Sequence, residues 1–462
     1  MRRAVVCSRE DFFYDIHSLV KSFYPSDDVV IFSLDDEEKA SEEYDAKLTV
    51  EIPPYTDRAE AKNQLKQDLY RRLSQTTGKE LPWGTLSGIR PTKIPMKGLN
   101  DGLAPEQILR DMKDRYLVSD RKASLALRIA NLEKSLVDKL TPGWDLYAGI
   151  PFCPTICSYC TFSSSPIGKW SKKVDQYLDD LEKELRAVAK WMKTQPNTIY
   201  IGGGTPTSLE PYQLERLLSV IDELFDSKHV LEFTVEAGRP DTVTPEKLRV
   251  LKSHPVTRIS INPQTMNDRT LELIGRRHTS EETIAAFKMA RDEGFDNINM
   301  DLIMGLPDEG KDEVRYTLDQ VEKLDPDSLT VHSLAFKRAS RLTTQWADYK
   351  MLSYENSDEV MDMASESALK MGMAPYYLYR QKNMRGNLEN VGYARPGKEG
   401  LYNILIMEEI DSILACGAGA STKAVHPNGL IERVVNPKDI VTYHDRIDEL
   451  CDKKVSGDLW NK

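Results

Sequence analysis

The sequence predicts an α/β protein: a parallel sheet of six strand–helix units, with a small α+β segment before it and a mixed α/β stretch after it. Three observations carry this prediction. Between residue 145 and about 340, short apolar runs alternate with helix-patterned stretches. The motifs with chemical character sit where those runs end. With 29% charged and 40% hydrophobic residues, the 462-residue chain has an ordinary globular composition and the length for a large core.

The divisions expected are residues 1–142, 143–340 and 341–462. In the first, AVVCS, DVVIFSL and KLTVEI read as strands, with helices over Phe12 to Phe23 and Ala59 to Leu73. Leu81 to Pro95 holds three Pro and two Gly, so it reads as ordered loop, and Pro105 to Leu140 as helix up to the break TPGWD. The second division supplies the strand-like runs LYAGI, TIYIGG, VLEFTVEA, TRISIN, NINMDLIMGL and SLTVHSLA. Helical patterns over Val174–Met192, Pro211–Phe225, Pro245–Leu251, Glu281–Glu293 and Glu313–Lys323 lie between them, which implies right-handed crossovers. Asn356 to Gly372 is a further helix in the third division.

A net charge of −11 argues against nucleic acid or an anionic membrane as partner. Six Cys in this length do not make a secreted disulfide scaffold, the N-terminus lacks an apolar signal core, and no run reaches membrane-spanning length. The expectation is a cytoplasmic, reducing setting.

The central motif is GIPFCPTICSYCTF, Gly149 to Phe162, which places Cys153, Cys157 and Cys160 at CxxxCxxC spacing just after a strand. Three thiolates cannot all pair as disulfides, and no fourth Cys or His follows closely enough to close a structural zinc site. An iron–sulfur cube with one open iron is favoured over zinc or unconnected thiols. One unit later, IGGGTPTSL lets backbone groups approach a ligand without a Cβ, although the P-loop Lys is absent.

Together these features resemble the radical S-adenosylmethionine (SAM) superfamily, with its partial (β/α)6 barrel. The finer pattern is similar to the oxygen-independent coproporphyrinogen III oxidase family, and most like its HemZ-type branch. Tyr147, Ile150, Pro151 and Phe152 match the family's pre-cluster pattern, with Gly149 where the family has His; Glu236, Gln264 and Asp301 match further motifs. The resemblance spans about residues 145 to 425. It implies that Cys153, Cys157 and Cys160 hold a [4Fe–4S] cluster whose fourth iron SAM chelates, giving a 5′-deoxyadenosyl radical on reduction. It implies that Tyr147, Tyr159, Gly203 and Glu236 contact that SAM, and that Gly204, Thr205, Gln264, Arg276, Asp301 and Ala335 fall at positions of a second. A flavodoxin- or ferredoxin-like electron donor is implied as partner, and conversion of coproporphyrinogen III to protoporphyrinogen IX, in haem biosynthesis, as function. A haem-modifying radical methyltransferase and a haem chaperone are the alternatives.

Two further departures bear on that choice. The haem-chaperone relatives carry H-N-x-x-Y-W, where this chain has YNILIM (Tyr402 to Met407); a second Cys beyond the third ligand is replaced by Phe162, which reads as a shield for the cluster. Lys337, Arg338 and Arg341 are candidates to grip substrate carboxylates. His278, His332 and His426 read as structural, and Cys7, Cys416 and Cys451 as inert, with Cys416 notable for preceding Gly417.

Overall fold

The computed structural model describes every residue except 26, 37, 39–43, 346–348, 350, 351, 354, 355, 382, 383, 385, 386, 461 and 462. The chain forms two compact units, Met1–Lys134 with Leu378–Asn390, and Ser135–Tyr377 with Val391–Lys462.

In the first unit, β1 (Arg2–Cys7) lies between β2 (Asp28–Ser33) and β3 (Ala46–Val50) in a parallel sheet. Val5 and Cys7 face a core with Phe12, Ile16, Leu19 and Phe23, joined by Leu69 and Leu73 of the helix Arg58–Thr77. That helix starts where Asp57 accepts from the backbone N–H of Ala59 and Glu60, and stops at Gly78 with φ of 66°. The stretch expected as one helix from Pro105 to Leu140 is two, Pro105–Tyr116 and Asp120–Val137, because Leu117 turns left-handed at φ 55°. The expected loop from Leu81 also ends earlier, in a helix Lys93–Asn100. Trp83 is fully buried and donates from Nε1 to Glu389 at 2.7 Å, and the ammonium of Lys122 holds the other Glu389 oxygen at 2.7 Å.

The second unit contains β4 (Trp144–Ile150), the short β5 (Phe152–Cys153) and β6 (Ser165–Pro166), then β7 (Thr198–Gly203), β8 (Glu232–Glu236), β9 (Arg258–Ser260), β10 (Ile298–Met304) and β11 (Ser328–Ser333). Strands β4, β7, β8, β9, β10 and β11 lie side by side and parallel, with the anticipated helices in the crossovers. This is the (β/α)6 arrangement. The later segments extend that sheet at both sides. Beyond β12 (Ala374–Tyr379), β13 (Asn390–Ala394) runs antiparallel to β11, while β14 (Ser412–Cys416) runs parallel to β4; β15 (Ser421–Val425) and β16 (Ile431–Val435) complete an open eleven-stranded sheet. The barrel is therefore partial. Strand ends deliver the site: the Cys run follows β4, the glycines close β7, Glu236 closes β8 and Gln264 follows β9. Among the described residues, no helix is long and apolar enough to cross a membrane.

Candidate active site

The Cys run is pinched at its base, where β5 pairs with β6 so that Cys153 lies opposite Pro166. Its tip is tied by backbone bonds: Ser158 N–H donates to Ile274 O at 2.9 Å, and Leu342 N–H to Ser158 O at 2.9 Å. Thr155 Oγ1 donates to Gly275 O at 2.8 Å and the guanidinium of Arg341 to Ile156 O at 2.5 Å. The three cysteines are in no disulfide. Burial pushes the Cys153 thiol up to about 11, opposed by the Thr205 hydroxyl 3.4 Å away, while Cys157 and Cys160 raise it further. The three thiols are thus close enough to feel one another. Tyr159, between the last two, packs its ring on Leu271, Ile274, Leu306, Leu334 and Leu342.

Among the described residues no three His, Cys, Asp or Glu side chains close around a single metal ion. Three soft thiols on one pinned loop, with nothing beside them to complete a tetrahedral zinc shell, fit three corners of an iron–sulfur cube.

The glycines after β7 fit close against this loop. Gly203 has φ of 112°, and Gly204 donates its N–H to Ile150 O at 2.7 Å. A Cβ on Gly204 would lie 2.5 Å from Phe152 O and 3.0 Å from the Cys153 sulfur. Thr205 donates its N–H to Phe152 O at 2.7 Å. A cavity of about 170 Å³ opens beside them, lined by Tyr147, Ile150, Gly203, Phe162, the Ala418–Ala420 turn and Lys438. Cys416, just before that turn, is a fully buried β14 residue.

Glu236 accepts from Tyr200 Oη at 2.5 Å, and burial raises its carboxyl to about 7 despite that bond, with Asp301 adding to the rise. Tyr200 is the residue that the sequence reading missed. The β4–β7 register sets it opposite Tyr147, and its ring stacks between Tyr147 (6.2 Å) and Tyr402 (4.6 Å). Two tyrosines at matching positions of adjacent parallel strands were the available signal.

Asp301 differs from its fellows in lying in the middle of β10. Burial opposes its ionisation, but His332 at 3.7 Å and Asn299 at 2.7 Å hold its carboxyl below the usual range. Gln264 takes φ of 69° and bridges to β10 through its backbone, leaving its side-chain oxygen buried without a partner. Arg276 donates to Asn262 O at 2.5 Å and leaves Nε unpaired. It touches Tyr159 and Cys157, so the structure brings it to the Cys loop. Ala335 is buried just past β11.

Other residues fall elsewhere. Phe162 is 73% exposed, so it does not shield the thiols; Lys337 rides over its ring at 5.8 Å. Lys337, Arg338 and Arg341 do not gather into a carboxylate pocket: Arg338 and Arg341 are exposed, and Arg341 is spent on the Cys-loop backbone. His426 pairs with Glu432 at 3.1 Å. His278 is buried beside Arg276, Arg239 and Asp241, with Nδ1 4.0 Å from Asp241, and burial with the two arginines lowers it to about 3.

An open sheet of six parallel strands, with CxxxCxxC beyond the first and a glycine rim beyond the second, defines a radical SAM protein. The Radical SAM superfamily model matches residues 147–321. The chain is 44% identical over 404 residues to the oxygen-independent coproporphyrinogen-III oxidase-like protein HemZ of Bacillus subtilis (strain 168), covering 86% of this chain and 81% of that one. It is 41% identical over 190 residues to the heme chaperone HemW of the same organism, covering 41% of this chain and 49% of that one. Among solved structures, the Escherichia coli coproporphyrinogen III oxidase HemN, a radical SAM enzyme, shares the fold with a TM-score of 0.53 at 24% identity, over 67% of this chain and 70% of that one. The chain belongs to the oxygen-independent coproporphyrinogen III oxidase-like family of radical SAM proteins, in its HemZ-type branch. Its cofactors are accordingly a [4Fe–4S] cluster and SAM.

Proposed function

We propose that the chain oxidatively decarboxylates two propionate side chains of coproporphyrinogen III, giving protoporphyrinogen IX without oxygen, in a reducing cytoplasm. The observation that carries this reading is the fit of Gly204 against Cys153, where no room for a Cβ remains between the thiol loop and the β7 rim. Cys153, Cys157 and Cys160 hold the cluster, and Gly203, Tyr147, Tyr159 and Glu236 hold SAM. Together these groups supply, when bound, a carbon-centred oxidant for an unactivated C–H bond.

The chain's own residues do the positioning. Glu236, partly ionised near pH 7, offers the oxygen that Tyr200 does not occupy to an ammonium or ribose hydroxyl. Gln264, with its unpaired buried oxygen, joins Gly204, Thr205, Arg276, Asp301 and Ala335 as the set for a second SAM. The stacked Tyr147, Tyr200 and Tyr402 wall the strand ends with aromatic surface, which excludes water.

The second reading, a haem chaperone, draws on the HemW similarity. Against it stands the stretch Tyr402 to Met407, a buried-faced helix in which Tyr402 serves the aromatic stack. The deciding experiment is anaerobic: reconstituted chain, SAM, dithionite and coproporphyrinogen III, with products read by mass spectrometry. Protoporphyrinogen with 5′-deoxyadenosine, both lost in Cys157→Ala, is the expected result. Stoichiometric haem binding with the porphyrinogen returned intact would favour the chaperone.

A further inference from the structure

Glu236 closes β8, and the Tyr200 hydroxyl on neighbouring β7 donates to one of its oxygens at 2.5 Å. Two further rings hold that tyrosine in place. It stacks on Tyr147 of β4, 6.2 Å between centroids, and on Tyr402 of the helix Leu401–Glu408, 4.6 Å away. Two residues on along β7, Gly202 leaves the space that the pair occupies: a Cβ there would lie 2.8 Å from the Tyr200 ring and 3.3 Å from the Glu236 carboxyl carbon. Three strands and one helix thus converge on a single carboxylate. Of its other neighbours, Asp301 of β10 is the charged group that faces it, paired in turn with His332 of β11 at 3.7 Å. Tyr147 and Tyr402 are neutral phenols pushed upward by burial, and β9 brings the uncharged Ser260 into register.

We propose that Tyr200 is a positioning residue for the SAM site: its hydroxyl fixes which Glu236 oxygen faces the cofactor and favours the charged carboxylate, and so sets the pH range over which SAM binds. This rests on the radical SAM reading above, in which Glu236 meets an ammonium or a ribose hydroxyl of SAM. Burial and the Asp301 charge both favour the neutral carboxyl, which at about 7 is balanced between its two forms near neutral pH. The Tyr200 hydrogen bond works against them, because a donor to a carboxylate stabilises the charged form. Once protonated, Glu236 has one acceptor fewer and no charge to offer an incoming ammonium. Removing the phenol oxygen alone therefore raises the carboxyl further and moves the gain in SAM affinity to higher pH, while the ring stack survives.

The test is Tyr200→Phe, which keeps the ring and removes the hydroxyl. Reconstituted full-length wild type and variant are titrated anaerobically with SAM by calorimetry between about pH 6 and pH 9, without reductant so that no SAM is consumed. The amine of SAM titrates alike in both samples, so the ratio of the two affinities reports the chain. The variant is expected to bind about tenfold more weakly at pH 6 and within about twofold of the wild type at pH 9. In a Glu236→Gln background, adding Tyr200→Phe should leave that ratio level across pH. A level ratio in the native background would make Tyr200 a packing residue and overturn the proposal. So would equal affinities at every pH, or a slope that persists without the Glu236 carboxylate. If the wild type binds no SAM at any pH, the radical reading itself fails, and urea unfolding of the cofactor-free chain still judges the tyrosine. There Tyr200→Phe should carry the fall in stability that Glu236 causes near pH 7 to higher pH, and an unchanged profile would overturn the link.

Discussion

Two buried carboxylates in the same unit, Glu184 and Glu236, show what separates a structural charge from a working one. Glu184, on the helix Val174–Trp191, is fully buried and has its oxygens filled: Asn436 Nδ2 at 2.9 Å, Gly417 N–H at 2.7 Å, Tyr443 Oη at 2.6 Å, and the fully buried ammonium of Lys454. Every lone pair is used, so nothing else can bind there. Glu236 has one donor, Tyr200, and burial pushes it to about 7. In the same unit, Gln264 and Arg276 leave buried polar atoms unpaired. Native folds rarely leave such groups without a protein, water or ligand partner. The Glu184 carboxylate is filled by the chain's own donors, and the Glu236 carboxylate is not.

Removing one partner on each side tests that contrast. Lys454→Ala leaves Glu184 charged and buried with its cation gone, and is expected to cost about 3–5 kcal/mol of unfolding free energy in urea titration. Joint replacement of Glu184 by Leu and Lys454 by Met should recover most of it; no recovery would mean that the pair does more than satisfy itself. Gly204→Ala ranks next. Its methyl must displace Phe152 O or the Cys153 loop, so SAM affinity should drop by about tenfold or more, with a stability loss of about 1–3 kcal/mol. Unchanged SAM affinity would place the cofactor elsewhere.

The smallest expected effect concerns pH. The Glu236 carboxyl is raised from 4.5 to about 7 on folding, so the folded state holds its proton more tightly. The stability this contributes is fully present below pH 4.5 and is lost as pH rises through 7. In cofactor-free protein, Glu236→Gln should therefore flatten the decline in stability across that window, by on the order of 2 kcal/mol. An unaltered pH profile would show that Glu236 reaches solvent.

Much of this was legible in the chain itself, and the reasons are local. The six parallel strands announce themselves as short apolar runs between amphipathic helices, and Cys153, Gly204 and Glu236 fall at their ends. Tyr200 stayed hidden because TIYIGG reads as a plain buried strand; only its register with Tyr147 shows its role. Glu184 and Lys454 lie 270 residues apart, and nothing near either one signals the other. The break at Leu117 was equally silent, since a leucine rarely adopts positive φ and no glycine marks the spot.

The pairing of β14 with β4 has a bearing on how the protein is made. β4 carries Tyr147 and leads directly into the Cys loop, yet the strand that covers one of its edges lies at Ser412–Cys416, and Gly143 N–H waits for Asp411 across 268 residues. On the ribosome, β4 presents a bare hydrogen-bonding edge until the chain has been built past Cys416, and contacts so distant in sequence close slowly. A nascent chain stopped before that point exposes a sticky strand next to three reactive thiols.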